Sequence, residues 1–267
     1  MKGVLARLIE QSESPLSARN AMREYLQARI LACLQRQGAM VPLAFHGGTA
    51  LRFLYSLPRH SEDLDFALEG SPATYDLKGY AHAIEAEFHR EGYEPELRFT
   101  EDRVVQNAWI RFRGLLHEMG LSGHRDEVFS LKLEVDTHPP QGAGLATTVV
   151  RRHVILQLHH HDRPSLLSGK IHALLQRSFT KGRDLYDLLW YLSDPDWPDP
   201  NLILLNNALS QTDWQGPRLT EHYWRSILRE RVGELEWRNV HDDVAPFLEH
   251  SEELDLLTRE NLMRVLR

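Results

Sequence analysis

A short apolar run over residues 41–45 stops at Gly47-Gly48, and a helical pattern starts at once, with Thr49 placed to cap it and Pro58 to close it. That step from strand through two glycines into helix commits the first part of the chain to mixed sheet and helix. The surrounding patterns agree. Residues 16–37 carry Ala21, Leu26, Ile30 and Leu34 at helical spacing, and Gly38 ends the run. Residues 63–68 alternate as a strand, a polar helix follows over 76–91, and strands are predicted near 94–100 and 104–112. Residues 131–137 alternate most cleanly, with Leu131, Leu133 and Val135 on one face and Lys132, Glu134 and Asp136 on the other. A loop over 137–144 precedes a last strand at 153–159. Beyond residue 164 the patterns are helical, over 165–178, 182–192 and most of 202–267. The expected class is α+β: a mixed β-sheet domain flanked by helices over residues 1–160, then an all-helical region over 161–267.

Composition narrows the function. Apolar residues are 42% and charged residues 26% of the 267, which excludes wholesale disorder. No run approaches the ~18 apolar residues of a membrane span, and the first residues hold too short an apolar stretch for a signal peptide. Cys33 is the one cysteine, so there is no disulfide framework and no thiolate zinc cluster. A cytoplasmic protein is expected. The net charge of −7 argues against a protein that coats nucleic acid non-specifically, while leaving room for a local basic groove.

The chemistry concentrates in Phe45-His46-Gly47-Gly48-Thr49 and in Arg59-His60-Ser61-Glu62-Asp63-Leu64-Asp65. Glycines that open a helix let backbone N–H groups approach a phosphate, and the helix N-terminus favours negative charge. Asp63 and Asp65, two apart on a strand, point to one sheet face, as do Glu134 and Asp136. Carboxylates so close repel unless a cation lies between them, and Mg²⁺ bound through carboxylates and phosphates is the usual solution. If the two strands are neighbours, three or four acids converge opposite the glycine turn, the arrangement that two-metal phosphoryl or nucleotidyl transfer requires.

This ordered set resembles the nucleotidyltransferase superfamily and, within it, the AbiEii/AbiGii-type toxins of type IV toxin–antitoxin systems. The narrower resemblance rests on Lys170-Ile171-His172-Ala173-Leu174-Leu175-Gln176-Arg177 and on Gly182-Arg183-Asp184-Leu185-Tyr186-Asp187, and it spans roughly residues 40–195. It implies that Asp63 and Asp65 bind Mg²⁺ or Mn²⁺, with Glu134 or Asp136 as the third ligand. Glu134 follows Lys132-Leu133, the kind of pair that commonly precedes the family's acid. It also implies that Gly47, Gly48, Thr49, Ser61, Lys170 and Arg183 serve a nucleoside triphosphate, and that Lys170, Asp184 and Asp187 take part in activity. The expected partners are the triphosphate, an RNA acceptor such as the 3′ end of tRNA, and a cognate antitoxin protein.

Other readings compete. The chain could be a nucleotide-binding module acting through a protein partner, or could modify a small molecule by nucleotidyl or phosphoryl transfer. Arg111, Arg113, Arg151, Arg152, Arg177 and Lys181 are candidates for an RNA backbone. Arg183 has Asp184, Asp187 or a substrate phosphate as possible partners. Adjacent His159, His160 and His161 diverge along a strand, which disfavours a metal site, and His117-Glu118 lacks the second histidine of a zinc-protease motif. Tyr186, Trp190 and Tyr191 read as core. Arg225, Arg229, Arg231 and Arg238, interleaved with acids, read as a solvated face.

Overall fold

The computed structural model describes residues 2–179 and 181–267, which divide into two compact units. The first comprises residues 1–55, 60–139 and 147–160; the second comprises 56–59, 140–146 and 161–267.

The first unit is built on a seven-stranded mixed sheet: β1 (Leu43–His46), β2 (Asp63–Leu68), β3 (Pro95–Thr100), β4 (Val105–Arg113), β5 (Val128–Asp136), β6 (Leu145–Arg152) and β7 (Val154–His161), in the order β3-β4-β5-β2-β1-β7-β6. β2 runs antiparallel to β1 and parallel to β5, and β1 runs parallel to β7. Helices α1 (Lys2–Glu10), α2 (Pro15–Arg36), α3 (Gly47–Tyr55), α4 (Leu77–Arg90) and the single turn α5 (Leu115–Glu118) complete it. The alternation along β5 divides the sheet into two unlike faces. Phe45, Leu64, Phe66, Ile110, Phe112, Leu131, Leu133 and Val135 are buried on one of them. There the helices dock, with the Phe53 ring of α3 6.4 Å from Phe45 and the Phe88 ring of α4 5.2 Å from Phe112. The opposite face carries the half-buried Asp63, Asp65, Lys132, Glu134 and Asp136.

Ser14 caps α2 in a reciprocal capping box with Ser17. The residue that starts α3 is Gly47 rather than the position after Thr49, so Thr49 lies inside the first turn and is not its cap. Its buried hydroxyl donates to the Asp63 carbonyl instead, joining the helix start to β2. β6 fills residues 145–152, to which the sequence patterns assign no element. It is the sheet's edge, and its Leu145, Thr147, Val149 and Arg151 are all exposed.

The second unit is helical: α6 (Arg163–Gln176), α7 (Gly182–Leu192), α8 (Leu202–Gln211), α9 (Trp224–Glu234), α10 (Val240–Val244), α11 (Glu253–Leu256) and α12 (Arg259–Val265). Asp162, Asn201 and Thr258 cap α6, α8 and α12 through their side-chain oxygens. Gly182 lets α7 meet α10 closely, since a Cβ there would overlap the Val240 carbonyl. Trp224 fills the interior, and Tyr186 and Tyr191 are buried as expected. Arg231 departs from the expected solvated face: it donates to the Leu174 and Arg177 carbonyls, satisfying the C-terminal end of α6.

Candidate active site

β1 ends at His46, whose register partner is Asp65. Gly47 then turns into α3 with φ of +79°, a conformation that L side chains rarely adopt. A Cβ at Gly47 would also overlap the Asp65 carboxylate, so glycine is required for backbone conformation and for close approach alike. The first-turn N–H groups of α3 have no acceptor within the helix, and an acid stands against them.

Across β2 and β5, Asp63 pairs with Lys132, Asp65 with Glu134, and Ala67 with Asp136. Asp65 and Glu134 are therefore direct neighbours on one face, while Asp136 lies one rung further on beside an alanine. The Asp136 carboxylate accepts from the His138 backbone N–H at 2.9 Å, and burial raises its pKa. Lys132 donates to Glu134. Burial works against the Lys132 charge, yet the bond to Glu134 and the fields of Glu134, Asp63 and Asp65 outweigh it and raise its pKa. The expected convergence of three or four acids is thus altered: a lysine stands among them. Among the described residues no three His, Cys, Asp or Glu side chains group so as to hold a metal ion. The donor set still suits a hard divalent cation, which typically takes one or two protein carboxylates and completes its shell with phosphate oxygens. Asp63 and Asp65 are two carboxylates on one face, and Asp65 stands against Gly47.

Two α2 residues that the sequence reading missed organise the approach to β2. The amide of Gln27, 1% exposed, donates to the carbonyls of Ser61 and Glu62 at 3.0 and 2.9 Å. Glu24 is held by Arg52, by Arg152 at 2.9 Å, by His153 at 2.9 Å and by His60 at 3.4 Å. Burial opposes its charge, but these four partners hold its pKa far below the carboxylate range. Arg152, expected as a candidate for the RNA backbone, is instead engaged inside the unit. A polar residue on the apolar stripe, Gln27 three before Ile30 and seven before Leu34, was the available signal.

In the helical unit, Asp187 is fully buried and is gripped by the Arg59 guanidinium through Nε at 2.6 Å and Nη2 at 2.5 Å. Lys170 Nζ lies 2.7 Å from Asp187 and 3.5 Å from Asp184. Burial would raise the Asp187 pKa, but Arg59 and Lys170 bring it below the usual range. Arg177 approaches Asp184 at 3.3 Å. Burial lowers the pKa of Lys181, with neighbouring Arg183 adding to the effect. Arg183 Nε is 3.8 Å from Asp243, and its guanidinium lies 4.2 Å from the centre of the Phe247 ring. The triple histidine is structural, with His159 bonded to the Leu43 carbonyl and His160 to the Thr148 hydroxyl.

A structure with this topology has solved counterparts. JHP933 from Helicobacter pylori matches with a TM-score of 0.55 at 18% identity, over 96% of this chain and 91% of that one. A candidate nucleotidyltransferase from H. pylori matches with a TM-score of 0.53 at 18% identity, over 91% of each chain. No curated protein matches the sequence. The family described as nucleotidyl transferase AbiEii toxin, type IV toxin–antitoxin system, matches residues 29–259. With most of its length inside that match, and with the glycine turn and paired aspartates in place, the chain belongs to the AbiEii family and is a nucleotidyltransferase.

Proposed function

We propose that the chain transfers a nucleoside monophosphate from a nucleoside triphosphate to the 3′ end of tRNA in the cytoplasm, acting as the toxin that a cognate antitoxin restrains. The observation that carries this reading is the placing of Asp63 and Asp65 on one sheet face, with Asp65 between Glu134 and the Gly47 turn.

The acceptor hydroxyl oxygen attacks the α-phosphorus in line. A new P–O bond forms, the bond from that phosphorus to the bridging oxygen breaks, pyrophosphate leaves, and the hydroxyl proton passes to water. Asp63 and Asp65 would hold a divalent cation, Mg²⁺ or Mn²⁺, which would neutralise phosphate charge and acidify the hydroxyl. The backbone of Gly47 and Gly48 and the hydroxyl of Ser61 orient the phosphates, and Gln27 fixes the segment that carries Ser61. Lys170 serves as a phosphate contact, with Asp184 and Asp187 aligning its ammonium. Asp187, buried and locked to Arg59, acts by positioning and does not touch substrate. Arg183, whose Nε is 3.8 Å from Asp243, has a supporting role. Glu134, the register neighbour of Asp65, would be the third acid of that site. Preorganised charge and positioning provide most of the acceleration in such chemistry.

The test is incubation with each labelled triphosphate, Mg²⁺ or Mn²⁺, and total tRNA, followed by a denaturing gel. Label is expected on tRNA and absent with Asp63→Asn/Asp65→Asn. Label persisting in that variant overturns the reading. Metal-dependent nucleotide binding without transfer would favour the partner-directed module, and label on a small molecule the third reading.

A further inference from the structure

The sheet face that carries the aspartates continues past them toward the far edge. Register places Asp63, Lys132, Trp109 and Arg98 side by side on β2, β5, β4 and β3. Trp109 is 37% exposed, and the Lys132 ammonium lies 5.5 Å from its ring centre. Along the same face of β4 follow Arg111 and Arg113, each within 3.4 Å of Glu96, the one acid that β3 and β4 contribute to this face. Arg98 and Lys132 therefore flank an exposed indole, with Arg111 and Arg113 next along its strand, on a chain whose net charge is −7.

An isolated exposed aromatic needs no explanation. This one stands two strand spacings, ~10 Å, from Asp63, with a cation on each neighbouring strand and two more along its own. Aromatic faces flanked by positive charge are how single-stranded nucleic acid is held, the base stacking and the phosphates meeting arginine. We propose that Trp109 is a stacking platform for an unpaired base of the RNA acceptor, with Arg98, Arg111 and Arg113 receiving its backbone. The donor triphosphate's own base is the competing occupant. Its phosphates are assigned above to the Gly47 turn, whereas Arg98 lies beyond Trp109 across the sheet, and Arg111 and Arg113 follow it along β4 away from the level of Asp65. Those charges suit a polyanion.

The inference rests on the RNA-directed reading above and is tested apart from it, by binding. The full chain carrying Asp63→Asn is titrated with end-labelled tRNA and with a short single-stranded RNA, as are its Trp109→Ala and Trp109→Phe derivatives. Nucleoside triphosphate affinity is measured in parallel by equilibrium dialysis. RNA affinity should fall about tenfold or more in Trp109→Ala and be largely kept in Trp109→Phe, with triphosphate affinity unmoved. Arg98→Ala/Arg113→Ala should flatten the salt dependence of RNA binding, which Trp109→Ala should leave alone. Matching melting temperatures exclude misfolding, and Trp109→Phe serves if Trp109→Ala fails to fold, because stacked RNA should quench the native chain's fluorescence more than that variant's. Unchanged RNA affinity, loss confined to triphosphate binding, or no RNA binding by the Trp109 chain each overturns the platform. Transfer to tRNA with an unaltered KM in Trp109→Ala sinks the platform while sparing the enzyme. RNA binding that depends on Trp109 without any transfer does the reverse.

Discussion

Gly47 shows how tightly one residue can be constrained: its backbone occupies a left-handed region and its missing side chain makes space for a carboxylate. Gly47→Ala should cost about 1–2 kcal/mol from backbone strain alone. Because the new methyl displaces Asp65, nucleotidyl transfer should fall by far more than that stability loss explains; urea midpoints set beside transfer rates will show it. Asp187→Asn leaves Arg59 and Lys170 facing a neutral amide in a buried place, so about 3–5 kcal/mol of stability should be lost, read from urea unfolding. Cys33 is buried, and burial pushes its thiol up to about 12, so the native chain should resist thiol reagents at pH 8 and react once unfolded.

At the scale of elements, α2 brings Glu24 and Gln27 to the approach of β2. The Glu24 pKa is depressed in the folded chain, so its contribution is fully present above the unfolded carboxylate pKa of about 4.3 and is lost as pH falls below it. Melting temperature should therefore drop on acidification below about pH 4, and Glu24→Gln should be less stable at neutral pH with a shallower acid limb. Elements with a strong period were legible in sequence: α2, α4, β2, β5 and α7 lie within a few residues of expectation. β6 was not, because an exposed edge strand of Thr147, Thr148, Arg151 and Arg152 offers no apolar face to read. The glycine turn and the aspartate pair were legible because they are local. The Arg59–Asp187 grip and the Arg152–Glu24 pair each join residues 128 apart, and no spacing rule announces such partners.

For the whole molecule, the family match crosses both units, and each unit holds polar chemistry of its own: acids at a glycine turn in the sheet unit, and a lysine between two aspartates in the helical one. No helix among the described residues is long and apolar enough to cross a membrane. The acidic average conceals a cationic sheet edge, so bulk charge is a poor guide to what this surface meets. Chelation by EDTA should abolish transfer, with activity restored by added Mg²⁺ or Mn²⁺ in the gel assay.

Lys132 carries a consequence for supply. Its ammonium offsets the mutual repulsion of Asp63, Asp65 and Glu134 from within the chain, so folding need not await an ion from outside. A chain built this way can be stored folded through a shortage of divalent salt.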